Sequence, residues 1–168
     1  MDRLILMRHA KAERRSTSGA DIERALAPQG RADAAIMAGV LAREGMAPDL
    51  ALVSSARRTQ ETWEAMARAF PKARAEVSRE LYNASALALL EAAEAARERT
   101  VLVVGHNPGI HELVIHLLVD AGAGAAVIAK AASRFPTCTA AAFVIDAGGR
   151  PSYDGLFFVA EHGGDDGE

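Results

Sequence analysis

Three apolar runs in this chain end on residues suited to handling an anion. Leu4-Ile5-Leu6-Met7 runs into Arg8-His9, Leu52-Val53-Ser54-Ser55 runs through Ala56 into Arg57-Arg58, and Val101-Leu102-Val103-Val104-Gly105 runs into His106. Arginine offers a planar fork of N–H donors that keeps its charge and matches the oxygens of a phosphate. A histidine beside it adds a nitrogen that can serve as nucleophile, base or donor near neutral pH. These types fit phosphoryl transfer, where catalysis is mainly positioning and stabilisation of charge on the phosphoryl oxygens. They do not fit a metal centre. The histidines are His9, His106, His111, His116 and His162, without Cys-x-x-Cys or His-Glu-x-x-His, so neither a metal nor another cofactor is expected. His111 and His116 lie five apart on a helical stretch, hence on different faces, and read as structural or surface residues.

The elements that must carry these residues follow from pattern. Short apolar runs bounded by polar residues read as buried strands, and the first begins so early that it can pair centrally. Arg8 and His9 then sit at its carboxyl end, where open α/β sheets bind ligands. The spacing of Ala34, Met37, Ala38 and Leu41 predicts a covering helix over 30–44. A strand over 49–54 leads to a helix over 55–70, with a serine cap. Arginines in the first turn of that helix face a helix end that is already positive, a conflict that an anion would relieve. A short strand over 75–79, a helix over 85–97 capped by Ser85, and a strand over 100–105 come next. Asn107 as cap and Pro108 at the first position would open a helix reaching Asp120 and set His106 at its phosphate-binding end. Strands over 140–146 and 156–160 read as an antiparallel hairpin.

The phrases RHAKAE, SSARRTQET and GHNPGIHEL give the chain, over nearly its whole length, a resemblance to the histidine phosphatase superfamily, and within it to the SixA-type phosphohistidine phosphatases. The resemblance implies a phosphoglycerate mutase-like fold, a single α/β/α three-layer domain with a mostly parallel central sheet. It also implies that His9 is the nucleophile and that Arg8, Arg58 and His106 form the phosphate pocket. Arg58, not Arg57, follows Ser54 by four and precedes Thr62 by four, as the family pattern requires. The chain departs from that pattern in Ala10 for the commoner Gly, Thr59 for Ala, Glu61 for Gln, and Trp63 after the threonine. Arg24, in a phrase similar to the family's Arg-Pro-Leu, is either substrate-facing or a surface ion pair. Members that hydrolyse phosphate esters place a carboxylic acid between the second motif and the late Gly-His, and Glu80 is the one candidate here for that general acid, against a solvated charge. The activity implied is removal of phosphate from phosphohistidine residues of signalling proteins. The alternatives are a small-molecule phosphomonoesterase or mutase of the same fold, and a non-catalytic phosphate- or phosphoprotein-binding module.

With 168 residues, half of them hydrophobic, the chain suits one domain over 1–161, followed by a flexible acidic tail over 162–168. A net charge of -3 and a pI near 6.0 argue against a nucleic-acid partner. Cys138 is the single cysteine, which suits a reducing cytoplasm, and no apolar run approaches the roughly 18 residues that a membrane helix needs. The expectation is a soluble cytoplasmic monomer whose partner is a phosphorylated protein of the histidine-phosphotransfer type or a small phosphate ester.

Overall fold

Leu4, Ile5, Leu6 and Met7 are wholly withdrawn from solvent, which a strand achieves only when both faces of its sheet are covered. In the computed structural model, which describes residues 1–165, they form β1 (Arg3–Arg8) in the interior of the sheet. Burial of each such side chain is worth about 1.5–3 kcal/mol, enough to fix both the position and the facing of the strand. Leu4 and Leu6 point to one side and Ile5 and Met7 to the other, each into its own cluster.

The remaining elements are α1 (Pro28–Arg43), β2 (Leu50–Ser54), α2 (Arg57–Ala67), β3 (Arg74–Ser78), α3 (Ala86–Ala95), β4 (Thr100–Gly105), α4 (Gly109–Asp120), α5 (Ala125–Ser133), β5 (Ala140–Ile145) and β6 (Pro151–Phe157). Among the described residues six strands form one sheet in the order β3-β2-β4-β1-β5-β6. The first four are parallel, and β5 and β6 add an antiparallel edge. Met37, Leu41 and Met66 of α1 and α2 pack on the Ile5–Met7 side; Leu89, Val114 and Ala131 of α3, α4 and α5 pack on the other. The result is the three-layer α/β/α arrangement with a mostly parallel sheet.

Two helix starts differ from the sequence expectation, and both differences serve the sheet edge. The N-cap of α2 is Ala56, with no side-chain cap; Thr59 Oγ1 donates to the carbonyls of Ser54 and Ala56, while the Ser54 hydroxyl turns toward His106. The N-cap of α4 is Pro108, because the Asn107 amide donates to the Phe135 carbonyl instead of capping. The Ser85 cap holds, accepting from the Ala88 N–H at 3.2 Å. β6 starts at Pro151, earlier than the hairpin pattern suggested, because Asp146 Oδ1 accepts from the Gly148 and Arg150 N–H groups and tightens the turn. At the other end, the segment expected to be a loose tail comes back to α1, where the Asp165 N–H donates to Asp33 Oδ1; residues 166–168 lie outside the described residues.

Gly30 marks where α1 meets the loop that leaves β1. A Cβ at this position would overlap the carbonyl oxygen of Lys11, which is backbone and cannot turn aside. Gly30→Ala should therefore lower unfolding stability by about 1–3 kcal/mol in denaturant titration; an unchanged midpoint would mean that this approach is looser than the geometry requires.

Candidate active site

The four parallel strands stop at one level. Arg8 pairs in register with Gly105, Val53 with Val104, and Ser54 with Ser78, so the next residues of β1 and β4, His9 and His106, emerge side by side. Their ring centroids are 5.3 Å apart. Arg58 comes from the first turn of α2, directly after β2, and all three side chains are about 95% buried, at 6%, 5% and 4% exposure. The segment leading into antiparallel β5 closes the floor, where the Cys138 N–H donates to the His9 carbonyl and the Thr139 carbonyl accepts from Arg8 N–H.

Hydrogen bonds fix both imidazole tautomers. His9 Nδ1 lies 2.7 Å from the Ala10 carbonyl oxygen, which can only accept, so the proton is on Nδ1 and Nε2 keeps its lone pair. Arg58 Nε–H, which can only donate, points at that lone pair from 3.3 Å. Arg58 Nη2 likewise faces His106 Nδ1 at 3.2 Å, so the His106 proton is on Nε2 and donates to Ser54 Oγ at 2.7 Å. In this state His106 has no N–H to spare for an anion, and it becomes a donor at Nδ1 when its proton moves there and the Ser54 hydroxyl reverses to donate to Nε2. Arg8 Nη1 donates to the Phe135 carbonyl at 3.0 Å.

Burial is the largest cause holding the His9 imidazole well below its usual 6.5; the nearby His106, Arg58 and Arg8 add to it, against the opposing bond to Ala10. The same causes, burial first and Arg58 next, bring His106 down to about 4. Both rings are therefore neutral at physiological pH.

The structure also gathers residues that sequence reading did not single out. Asp21, on a 3-10 turn (Asp21–Glu23) of the loop after β1, holds the guanidinium of Arg58 twice: its carbonyl accepts from Nη1 at 2.9 Å and Oδ2 from Nη2 at 3.0 Å. Tyr82 donates its hydroxyl to the same Oδ2 at 2.6 Å and stands edge-on to His106. The length of the loop was the one signal that pointed toward Asp21. Ser54 was known only as a spacing mark. Glu80 is exposed, and among the described residues its carboxylate makes no hydrogen bond or ion pair with His9, Arg8, Arg58 or His106. Arg57 pairs with Glu61 four residues on, and Arg24 Nε donates to Asp21 Oδ1, so Arg24 touches the site through Asp21. No three His, Cys, Asp or Glu side chains among the described residues gather as a metal site, and no helix among them is long and apolar enough to cross a membrane.

Residues 4–86 match the family model of the histidine phosphatase superfamily, branch 1. An uncharacterized protein of Mycobacterium tuberculosis is 35% identical over 133 residues, covering 78% of this chain and 82% of that protein. Among solved structures, a provisionally assigned phosphohistidine phosphatase SixA from Agrobacterium tumefaciens superposes with a TM-score of 0.81 at 30% identity, over 94% of this chain and 97% of that one. The protein histidine phosphatase SixA complexed with tungstate superposes at 0.75 and 23% identity, over 95% and 98%, which speaks for the fold alone.

In phosphate-free solution, imidazole NMR should show both rings uncharged at pH 6, His9 as the Nδ1–H tautomer, and His106 titrating only near pH 4. Because the unfolded chain protonates both rings near 6.5 while the folded site resists it, their contribution is intact above that pH, and stability falls as pH drops toward 4. A His9 that titrates near 6.5 would contradict the buried geometry.

Proposed function

Because the chain belongs to the histidine phosphatase superfamily, we propose that it works as a phosphatase through a covalent phosphohistidine on His9, and that it acts on phosphohistidine residues of proteins. The observation that carries the mechanism is the His9 tautomer: the Ala10 carbonyl pins the proton on Nδ1 and leaves the Nε2 lone pair facing the arginine-lined pocket. In the first step this lone pair forms the bond to phosphorus as the bond to the leaving nitrogen breaks, and the departing imidazole keeps that electron pair. Water then attacks phosphorus, the bond to His9 Nε2 breaks, and inorganic phosphate is released with the ring neutral again. Arg58 guards the lone pair with Nε–H, and in the reaction it turns its fork to the phosphoryl oxygens beside Arg8. His106 stays neutral and shifts its proton to Nδ1, with the Ser54 hydroxyl then donating to Nε2, so that Nδ1–H donates to a phosphoryl oxygen.

The choice of a phosphoramidate over an ester is supported by the state of the carboxyl groups near the site. An alkoxide leaving group needs a positioned proton donor, worth about 10²–10⁴-fold, whereas an imidazole can leave with a proton already on its ring. Among the described residues Glu80 is exposed, and its carboxylate bonds to none of the four site residues. Asp21 reaches it, but its carboxyl is held below its usual value by the Tyr82 hydroxyl first and then, against the opposing effect of burial, by Arg58 and Arg24. A carboxyl held as the anion donates no proton.

His9→Ala should reduce turnover of a phosphohistidine protein by about 10³-fold or more while leaving the fold and orthophosphate binding in place. Denaturing the working enzyme should trap phosphate on His9 in an acid-labile, base-stable linkage, and EDTA should leave the rate unchanged, since Arg8 and Arg58 supply the positive charge. Glu80→Gln should change phosphohistidine hydrolysis little. A sugar or nucleotide phosphate turned over faster than any phosphohistidine protein, with loss of that rate in Glu80→Gln, would replace this reading by a phosphomonoesterase. Binding without turnover of either would make it a phosphoprotein-binding module.

A further inference from the structure

The carboxylate of Asp21 lies where an anionic substrate would be expected to lie, against the fork of Arg58. Four donors converge on the residue: Arg58 Nη1 on its carbonyl, Arg58 Nη2 and the Tyr82 hydroxyl on Oδ2, and Arg24 Nε on Oδ1. Counting Nε–H to His9 and the contact of Nη2 with His106, four of the five N–H groups of Arg58 are engaged by the chain itself. A phosphoryl group cannot take both arms of that fork until Asp21 gives them up.

We infer that Asp21 is an internal ligand of the phosphate-binding arginine, one that competes with substrate and product phosphate and so sets the affinity of the site for small anions. The inference rests on Arg58 being the phosphoryl ligand proposed above. The partners are unequal in a way that suits exchange. The Arg58 side chain is 5% exposed and held by His9 and His106 as well, whereas Asp21 is 51% exposed on a one-turn 3-10 segment. An ion pair with one exposed member is weak enough to be displaced, and a dianion with three oxygens outbids a single carboxylate for a guanidinium. Apparent affinity is the intrinsic affinity reduced by the fraction of molecules in which the fork is free, so a competitor built into the chain weakens small anions in proportion. A phosphorylated protein recovers the loss through contacts beyond the phosphoryl group, and free orthophosphate does not. The internal carboxylate therefore favours large substrates and relieves inhibition by the product.

Tyr82 anchors the competitor. Its hydroxyl gives the shortest bond to the carboxylate, while its ring packs on His106 and lies 6.0 Å from the Arg58 guanidinium carbon. Tyr82→Phe keeps the ring and deletes only the anchor.

Orthophosphate binding by titration calorimetry tests the inference, with the same protein assayed for competitive inhibition by phosphate. Asp21→Asn should bind orthophosphate roughly tenfold more tightly than the natural chain, by loss of a charged hydrogen-bond acceptor, and Tyr82→Phe should shift affinity in the same direction by a smaller factor. Inhibition constants for phosphate should fall in parallel. Unchanged or weaker phosphate binding in Asp21→Asn would show that the carboxylate holds Arg58 in place for substrate, and would overturn the inference; weaker binding in Tyr82→Phe would do the same by making the hydroxyl a phosphate donor. Arg58→Ala separates the two readings. If it leaves phosphate binding intact, the proposed pocket itself is wrong; if it abolishes binding while Asp21→Asn does not strengthen it, only the competitor fails.

Discussion

The main chain of Ala10 ties the two halves of the site into one hydrogen-bonded unit. Its carbonyl accepts from His9 Nδ1, and its N–H donates to Thr62 Oγ1, which in turn donates to the carbonyl of Arg58 one turn earlier on α2. The imidazole that would attack phosphorus and the arginine that would hold it are thus linked through the main chain of one buried residue and a threonine hydroxyl. Any shift of α2 relative to β1 would be felt at His9 Nε2, and this kind of rigid positioning is what an in-line displacement needs. The loop that follows is secured at its base by the bridge between Ala12 and Leu26 and by the Glu61 carboxylate, which accepts from Leu26 N–H. Only the tip, with Asp21, reaches across to the fork of Arg58.

Charge at the start of α2 shows how the fold resolves a local conflict. Two arginines in the first turn oppose the helix dipole, and the chain answers with its own carboxylates: Glu61 takes Arg57 along the same helix, and Asp21 takes Arg58 from across the site. Burial pushes the Glu61 carboxyl up, but the Leu26 N–H together with Arg57 and Arg31 more than offsets this and keeps it ionised. The histidines are handled differently. Their neutrality comes first from being withdrawn from water and only second from the arginines beside them, so it would survive an anion that neutralises the guanidinium charge far better than a purely charge-driven effect would.

Much of the scaffold was legible because it depends on local pattern. The strand over 100–105 was placed to the residue, and the runs ending in Arg8, Ser54 and Gly105 meet at one sheet edge as the α/β pattern requires. What could not be read are the pairings between distant segments. Asp21 is 37 residues from Arg58 and 61 from Tyr82, and nothing in the neighbourhood of any of them announces the others. The serine cap expected for α2 gives way to an Ala56 N-cap without a side-chain bond, and the Asn107 cap fails because the site draws the Asn107 side chain to the Phe135 carbonyl. A polar residue beside a functional cluster serves whichever partner lies closest in space, and helix propensity is the weaker claim.

Position 10 separates two kinds of information that a motif letter merges. Every contact that Ala10 makes with the site runs through its peptide groups, which all residues but proline possess in full, whereas its methyl group lies wholly inside the core with Met7, Leu26 and Met37. The replacement of the commoner glycine by alanine is thus silent at the reacting atoms and audible only as volume. A chain that spells its opening Arg-His-Ala and one that spells it Arg-His-Gly differ there in how the interior is filled, and the letter says nothing about which phosphoryl bond is broken.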